Sequence, residues 1–179
     1  MTPALTNTPI LETERLILRA PRPEDYAFWE PFYLSRRARF IGGGSDRGTG
    51  VAWRAFCHVA GMWVLRGFGS FVVQTKTCDN PLAMAGPWHP ADWPERELGW
   101  TVWSEDAEGT GIAREAAEAA RRFAYEVLDW DTAVSYIHRD NTRSIRLAER
   151  LGCTHDAAAV APGDDDLVFR HPAPEVIAP

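Results

Sequence analysis

The run from Glu97 to Gly152 limits what this chain can fold into more than any other segment. ELGWTVW reads as a strand, with Leu98, Trp100 and Val102 on one face and Gly99, Thr101 and Trp103 on the other. The turn EGTG follows, then a helical stretch with Ile112, Ala116, Ala120, Phe123 and Val127 on one stripe. TAVSYIH is a second strand, and NTRSIRLAERLG is a helix stopped by Gly152. Strand, glycine turn, helix, strand, helix implies a parallel strand pair joined by a right-handed crossover.

The first half is consistent with a mixed α/β domain. RLILR (15–19) alternates like a half-buried strand and ends at Pro21 and Pro23. EDYAFWEPFYL predicts a helix disturbed at Pro31, and IGGGSDRGTG a glycine-rich loop. VAWRAFCHVAGMWVL predicts a largely buried helix. FGSFVVQ and LAMAG predict two strands joined by a turn at Asp79-Asn80-Pro81, followed by a loop, GPWHPADWPE, rich in proline and tryptophan. LVFR, after the acidic turn GDDD, is a last strand, and the tail HPAPEVIAP is expected to fray. The 179 residues suit one domain, with a core over about 11–171 and no internal repeat.

A helix start leaves backbone N–H groups unpartnered and carries partial positive charge, and glycines there let a ligand approach the main chain. EGTGIA therefore offers either a phosphate site or a tight turn that binds nothing. The P-loop string G-x-x-x-x-G-K-[ST] does not occur. A dinucleotide fingerprint starting at Gly109 has Arg114 in place of its third small residue, and Asp129 and Asp131 precede the next strand instead of closing it.

LETERLILRAPRPEDY, EGTGIAREA and SYIHRDNTRSIRLAERLG, in this order and spacing, resemble the GCN5-related N-acetyltransferase (GNAT) superfamily, within it the ribosomal-protein N-acetyltransferase branch. The resemblance spans about residues 11–171. It implies a strongly bent, mostly antiparallel mixed sheet flanked by helices, with a V-shaped gap between ELGWTVW and TAVSYIH that takes acetyl-CoA. By resemblance, the pantetheine arm pairs with Thr101, Val102 and Trp103, and the pyrophosphate rests on the amides of Gly109, Thr110, Gly111, Ile112, Ala113 and Arg114. The resemblance also implies that Asn141, which caps the last helix, contacts the arm, and that the oxyanion donor is the N–H of Val102 or Trp103.

The chain departs from the family pattern at Glu108, where Gln or Arg is usual, and at Thr110, where a basic residue is common. An acid near a diphosphate is unfavourable unless it turns away or Arg114 compensates. The expected loss of affinity is about 1 kcal/mol. Ala148 stands where many relatives carry a tyrosine that serves the thiolate; Ser144, three residues after Asn141, is the alternative, and it also suits the first turn of a capped helix. Glu97 and His138 are the candidate bases, each with a plain alternative: an exposed strand start and a loop brace. Trp88, Trp93 and Trp103 are expected to wall the acceptor site, the first two on a loop stiffened by Pro87, Pro90 and Pro94. Asp164-Asp165-Asp166 reads as a solvated turn.

The net charge of −6 argues against a general nucleic-acid role, since phosphate binding wants a basic face. No apolar run approaches a membrane span, and the first residues lack a secretory pattern, so a cytoplasmic location is expected. Three scattered cysteines show no metal spacing, and no metal is implied. The resulting expectation is acetyl transfer from acetyl-CoA to a primary amine, on a small molecule or a protein N-terminus, by direct attack. The rivals are a non-catalytic CoA-binding module and a partner-binding module on the same fold. The apolar faces permit a homodimer without specifying one.

Overall fold

The computed structural model describes residues 5–177. Its eight strands form one sheet in the order β1-β2-β3-β4-β5-β6-β8-β7. They are β1 (Leu11–Glu12), β2 (Leu16–Arg19), β3 (Phe71–Thr75), β4 (Cys78–Trp88), β5 (Glu97–Val102), β6 (Val134–His138), β7 (Thr154–His155) and β8 (Asp166–Arg170). Every neighbouring pair is antiparallel except β5 and β6. The helices are α1 (Tyr26–Tyr33), α2 (Thr49–Arg66), α3 (Ile112–Glu126), α4 (Thr142–Arg150) and the short α5 (Pro174–Ile177). The last residues of the proline-rich tail, 178–179, and residues 1–4 lie outside the described residues.

The core divides between the two faces of the sheet. On one face Leu16, Leu18, Phe71, Val73 and Ala83 meet Ile112, Ala116 and Phe123 of α3. On the other, Val72, Met84 and Trp103 meet α1 and α2 through Trp29, Phe32, Phe56 and Val59. A buried bidentate ion pair, Arg19 to Asp25 at 2.8 Å, also engages Gln74, which accepts from Arg19 Nε at 2.7 Å.

Five local expectations are corrected. The β3–β4 turn falls at Lys76-Thr77, while Asp79, Asn80 and Pro81 lie inside β4. The pairing register shifts between Val73 and Thr75, so the proline, which has no N–H, sits where the ladder is irregular. β4 also runs on through Pro87 and Trp88, which shortens the tryptophan loop. α2 begins at Thr49 and buries only one face; Trp53, Val64 and Leu65 point outward, and 84% of Leu65 is exposed. Val127 is exposed because α3 ends at Glu126, before the stripe reaches it. His171 does not fray: it is buried, and the Pro172 carbonyl accepts from Tyr125 Oη at 3.0 Å.

Candidate active site

β5 and β6 share a single paired position, Glu97 opposite Val134, with Val134 N–H donating to Arg96 O at 3.0 Å. One residue further, a side chain replaces the ladder: Ser135 Oγ donates to Leu98 O at 2.6 Å. His171 Nε2 lies 3.0 Å from the same Oγ, and its Nδ1 lies 3.4 Å from Arg121 Nη1. Since Ser135 donates its proton to the carbonyl, His171 Nε2–H must donate to Ser135, leaving Nδ1 to accept from Arg121. Burial, with Arg121 adding to it, holds His171 near pKa 3, so the imidazole is neutral. Beyond this link the strands separate.

The gap holds two adjoining cavities. One, of about 600 Å³, is lined by Phe40, Trp88, Trp93, Glu97, Tyr136, His138 and Asp166 among others. The second, of about 980 Å³, is lined by Val102, Glu108, Gly109, Gly111, Ala113 and six arginines: Arg37, Arg39, Arg114, Arg143, Arg146 and Arg150. Trp100, Thr101, Asn141 and Ser144 belong to both. Their junction is therefore where a group from one cavity would meet a group from the other.

Alternation along β5 decides which backbone groups face the gap. Trp103 N–H donates to Leu82 O at 2.7 Å, so an antiparallel ladder also turns Thr101 N–H toward β4. The N–H groups of Trp100 and Val102 then face the gap, as does Leu98 O, which Ser135 uses. The Trp103 amide is committed to β4, and its indole packs in the core against Trp29, 4% exposed, lining neither cavity. Trp103 is thus removed from its three expected roles, pairing with the arm, oxyanion donor and acceptor wall, and Thr101, whose N–H also turns to β4, does not pair with the arm either. The strand ends at Val102, and burying a large ring there outweighs leaving it in the cleft.

At the start of α3, Gly109 and Gly111 take positive φ, 75° and 86°, and no side chain caps the helix. Thr110 Oγ1 turns back to donate to Ala107 O at 2.7 Å. The residues that compensate Glu108 are not the one expected. Arg114 pairs with Glu118 within its own helix, whereas Arg37 and Arg143 reach Glu108 at 2.7 and 2.5 Å. Partial burial alone would raise the Glu108 pKa; hydrogen bonds and charge from the two arginines outweigh it and hold the acid below its ordinary value. Arg37 also donates to Val102 O at 2.9 Å and Trp103 O at 2.7 Å, so the acid positions the guanidinium that closes the end of β5.

Glu97 points into the smaller cavity, on the side where Gly99 has no side chain to crowd it. Burial pushes its pKa up to about 7, against hydrogen bonds from the Trp93 indole (2.5 Å) and the Tyr136 amide; Asp166 adds a small upward push. Tyr136 Oη also accepts from Glu95 N–H at 2.9 Å, which ties the tryptophan loop to β6. His138 Nδ1 accepts the Asp140 amide at 3.1 Å. The neutral ring therefore carries its proton on Nε2, with no free lone pair for a substrate. Asn141 Oδ1 accepts from Ser144 N–H at 3.3 Å as a helix cap, and Ser144 Oγ accepts from Trp100 Nε1 at 3.3 Å. The Ser144 hydroxyl proton is left free for the junction.

Sequence reasoning missed Trp100, Tyr136, Arg37 and Arg143. Alternation did place Trp100 on a definite face of its strand, but nothing local signals that its indole reaches α4. Arg37 is 71 residues from Glu108, beyond any periodic pattern.

A sheet opened between two parallel strands, with an uncapped glycine turn beside the opening and a cavity on either side of it, is the architecture of the GNAT fold. Residues 15–154 match the acetyltransferase (GNAT) domain family, and the chain belongs to it. Among solved structures, an acetyltransferase from Agrobacterium tumefaciens str. C58 is 34% identical, covering 96% of this chain and 99% of that one, with a TM-score of 0.86. A GnaT-family acetyltransferase from Bordetella pertussis is 25% identical over 92% and 99% of the two chains, TM-score 0.75. The ribosomal-protein-S5-alanine acetyltransferase from Vibrio fischeri, 13% identical over 95% and 99%, shares the fold with a TM-score of 0.66.

Proposed function

We propose that this chain transfers acetyl from acetyl-CoA to a primary amine, with the donor in the arginine-lined cavity and the acceptor in the aromatic one. The observation that carries the reading is the meeting of the two cavities at Ser144, beside the gap-facing amide of Val102. The residues fit the donor. Uncapped amides at Gly111 to Ala113 and the cationic lobe suit a diphosphate, and the Trp100 and Val102 amides suit an extended amide-bearing arm. Acetyl-CoA supplies the acetyl thioester: once the acceptor ammonium has lost one proton, its nitrogen bonds the carbonyl carbon as the C–S bond breaks, and the nitrogen's second lost proton ends on the departing sulfur as CoA thiol.

Glu97 takes the first proton from the acceptor ammonium, directly or through one water, because its pKa is close to neutrality. Val102 N–H donates to the oxygen on which charge develops. Ser144 Oγ–H donates to the departing sulfur while Trp100 Nε1–H fixes the hydroxyl from behind. His138 braces the loop through Asp140, whose amide occupies its Nδ1.

The reading is tested by titration calorimetry of acetyl-CoA and CoA on the wild type and on Gly111→Trp, with circular dichroism to check the fold. Saturable binding that the bulky residue abolishes is expected. Absence of binding in the wild type would sink it.

A further inference from the structure

The two cavities are sorted by charge. Six arginines line the donor cavity, while among the described residues no Lys or Arg lines the acceptor cavity, which instead carries Asp92, Glu97 and Asp166. The same cavity is walled by flat rings: Phe40 lies 4.9 Å from the His138 ring, and Trp93 meets Tyr136 edge-on at 6.2 Å, with its indole N–H on Glu97. Trp88 also lines it, its ring 4.7 Å from that of His58.

Resting on the acetyltransferase reading, we infer that the acceptor is a small primary amine carrying one positive charge on an aromatic or similarly flat apolar body, and no carboxylate. Carboxylates draw the ammonium toward Glu97, and the ring faces stabilise it further on the way. The rings then enclose the body of the acceptor in a volume suited to a small molecule. An α-amino acid brings its own carboxylate next to the amine, among like charges with no guanidinium to receive it. An aliphatic diamine leaves the rings unfilled and has to desolvate a second ammonium against them. The three carboxylates therefore act by exclusion as much as by attraction.

The test compares kcat/KM for phenethylamine, phenylalanine and putrescine with saturating acetyl-CoA, following thiol release. Binding of each amine to the protein with CoA present is measured in parallel by tryptophan fluorescence. Phenethylamine is expected to exceed phenylalanine by about 100-fold and putrescine by about 10-fold. In Asp92→Lys, on the exposed loop, the phenethylamine-to-phenylalanine ratio is expected to fall about 10-fold. Equal or better use of phenylalanine, of putrescine or of a peptide N-terminus without an aromatic residue overturns the inference while acetyl transfer stands. So does a ratio unchanged in both Asp92→Lys and Asp166→Asn. If acetyl-CoA binds by calorimetry and phenethylamine is neither bound nor acetylated, the acceptor class is wrong. If acetyl-CoA itself does not bind, the transferase reading fails, and this inference with it.

Discussion

In the proposed reaction Glu97 takes the acceptor's proton and Ser144 serves the departing sulfur, so their variants should fail differently. Glu97 must be ionised to accept a proton, and its pKa near 7 means that the ionised fraction rises through neutrality. Turnover per acceptor, kcat/KM, should therefore climb between pH 6 and pH 8. In Glu97→Gln that rise should disappear and the rate fall about 100-fold, as a pH–rate profile would record. A profile unchanged in shape would remove Glu97 as the base. Ser144 has no such titration. Its hydroxyl supports charge on sulfur, and a hydrogen bond to a charged group is worth about 2 kcal/mol. Ser144→Ala should then lower kcat roughly 30-fold with little change in the KM for acetyl-CoA. A change confined to KM would make Ser144 a binding residue only.

At the level of elements, the site exists because β5 and β6 stop pairing after one position, and the side-chain link from Arg121 through His171 and Ser135 to Leu98 O holds them at that point. One titrating group, His171, is part of the link and another, Glu97, lies beside it, and they oppose each other. The His171 pKa is lowered to about 3, so acidification from pH 7 to 5 loads protons mainly on the unfolded chain and costs about 2 kcal/mol of stability. His89, also lowered by burial, acts in the same direction. The Glu97 pKa is raised to about 7, so over the same interval the folded chain takes up the proton and gains about 2 kcal/mol. Wild-type stability should be nearly level between pH 7 and 5, whereas Glu97→Gln should lose about 2 kcal/mol on acidification in urea titrations. A level response in both proteins would mean that His171 is not held neutral in the folded state.

The same link explains what was legible in the sequence. The alternation of β5, the glycine turn and the Asn141 cap are local features, each set within a few residues, and the family resemblance they carry implied the gap. The tail position of His171 beside prolines predicted fraying, because its partners Ser135 and Arg121 stand 36 and 50 residues away. Pro81 misplaced a turn for a related reason: only the β3–β4 register shows that the ladder is broken where the proline sits.

For the whole molecule, a net charge of −6 coexists with an arginine-rich cavity, so the attraction for phosphates is local and works against the overall field. Glu108 spends two of those arginines on structure and Glu118 a third, which leaves Arg39, Arg146 and Arg150 exposed and, among the described residues, without an ion pair. Exposed charges of this kind contribute about 0.5–1 kcal/mol each and are screened within about a Debye length, 10 Å at 0.1 M salt. Arg146→Ala and Arg150→Ala should each weaken acetyl-CoA roughly threefold at low salt and hardly at all at 1 M. Thermal stability offers a second reading of the same binding. Ligand at 100 times its dissociation constant stabilises by about 2.7 kcal/mol, a shift of roughly 5–11 °C for a chain of this size. At a fixed acetyl-CoA concentration the shift should shrink with added salt in the wild type and shrink less in the double variant, whose melting without ligand serves as the control. A shift with the same salt dependence in both would place the phosphates elsewhere than against α4.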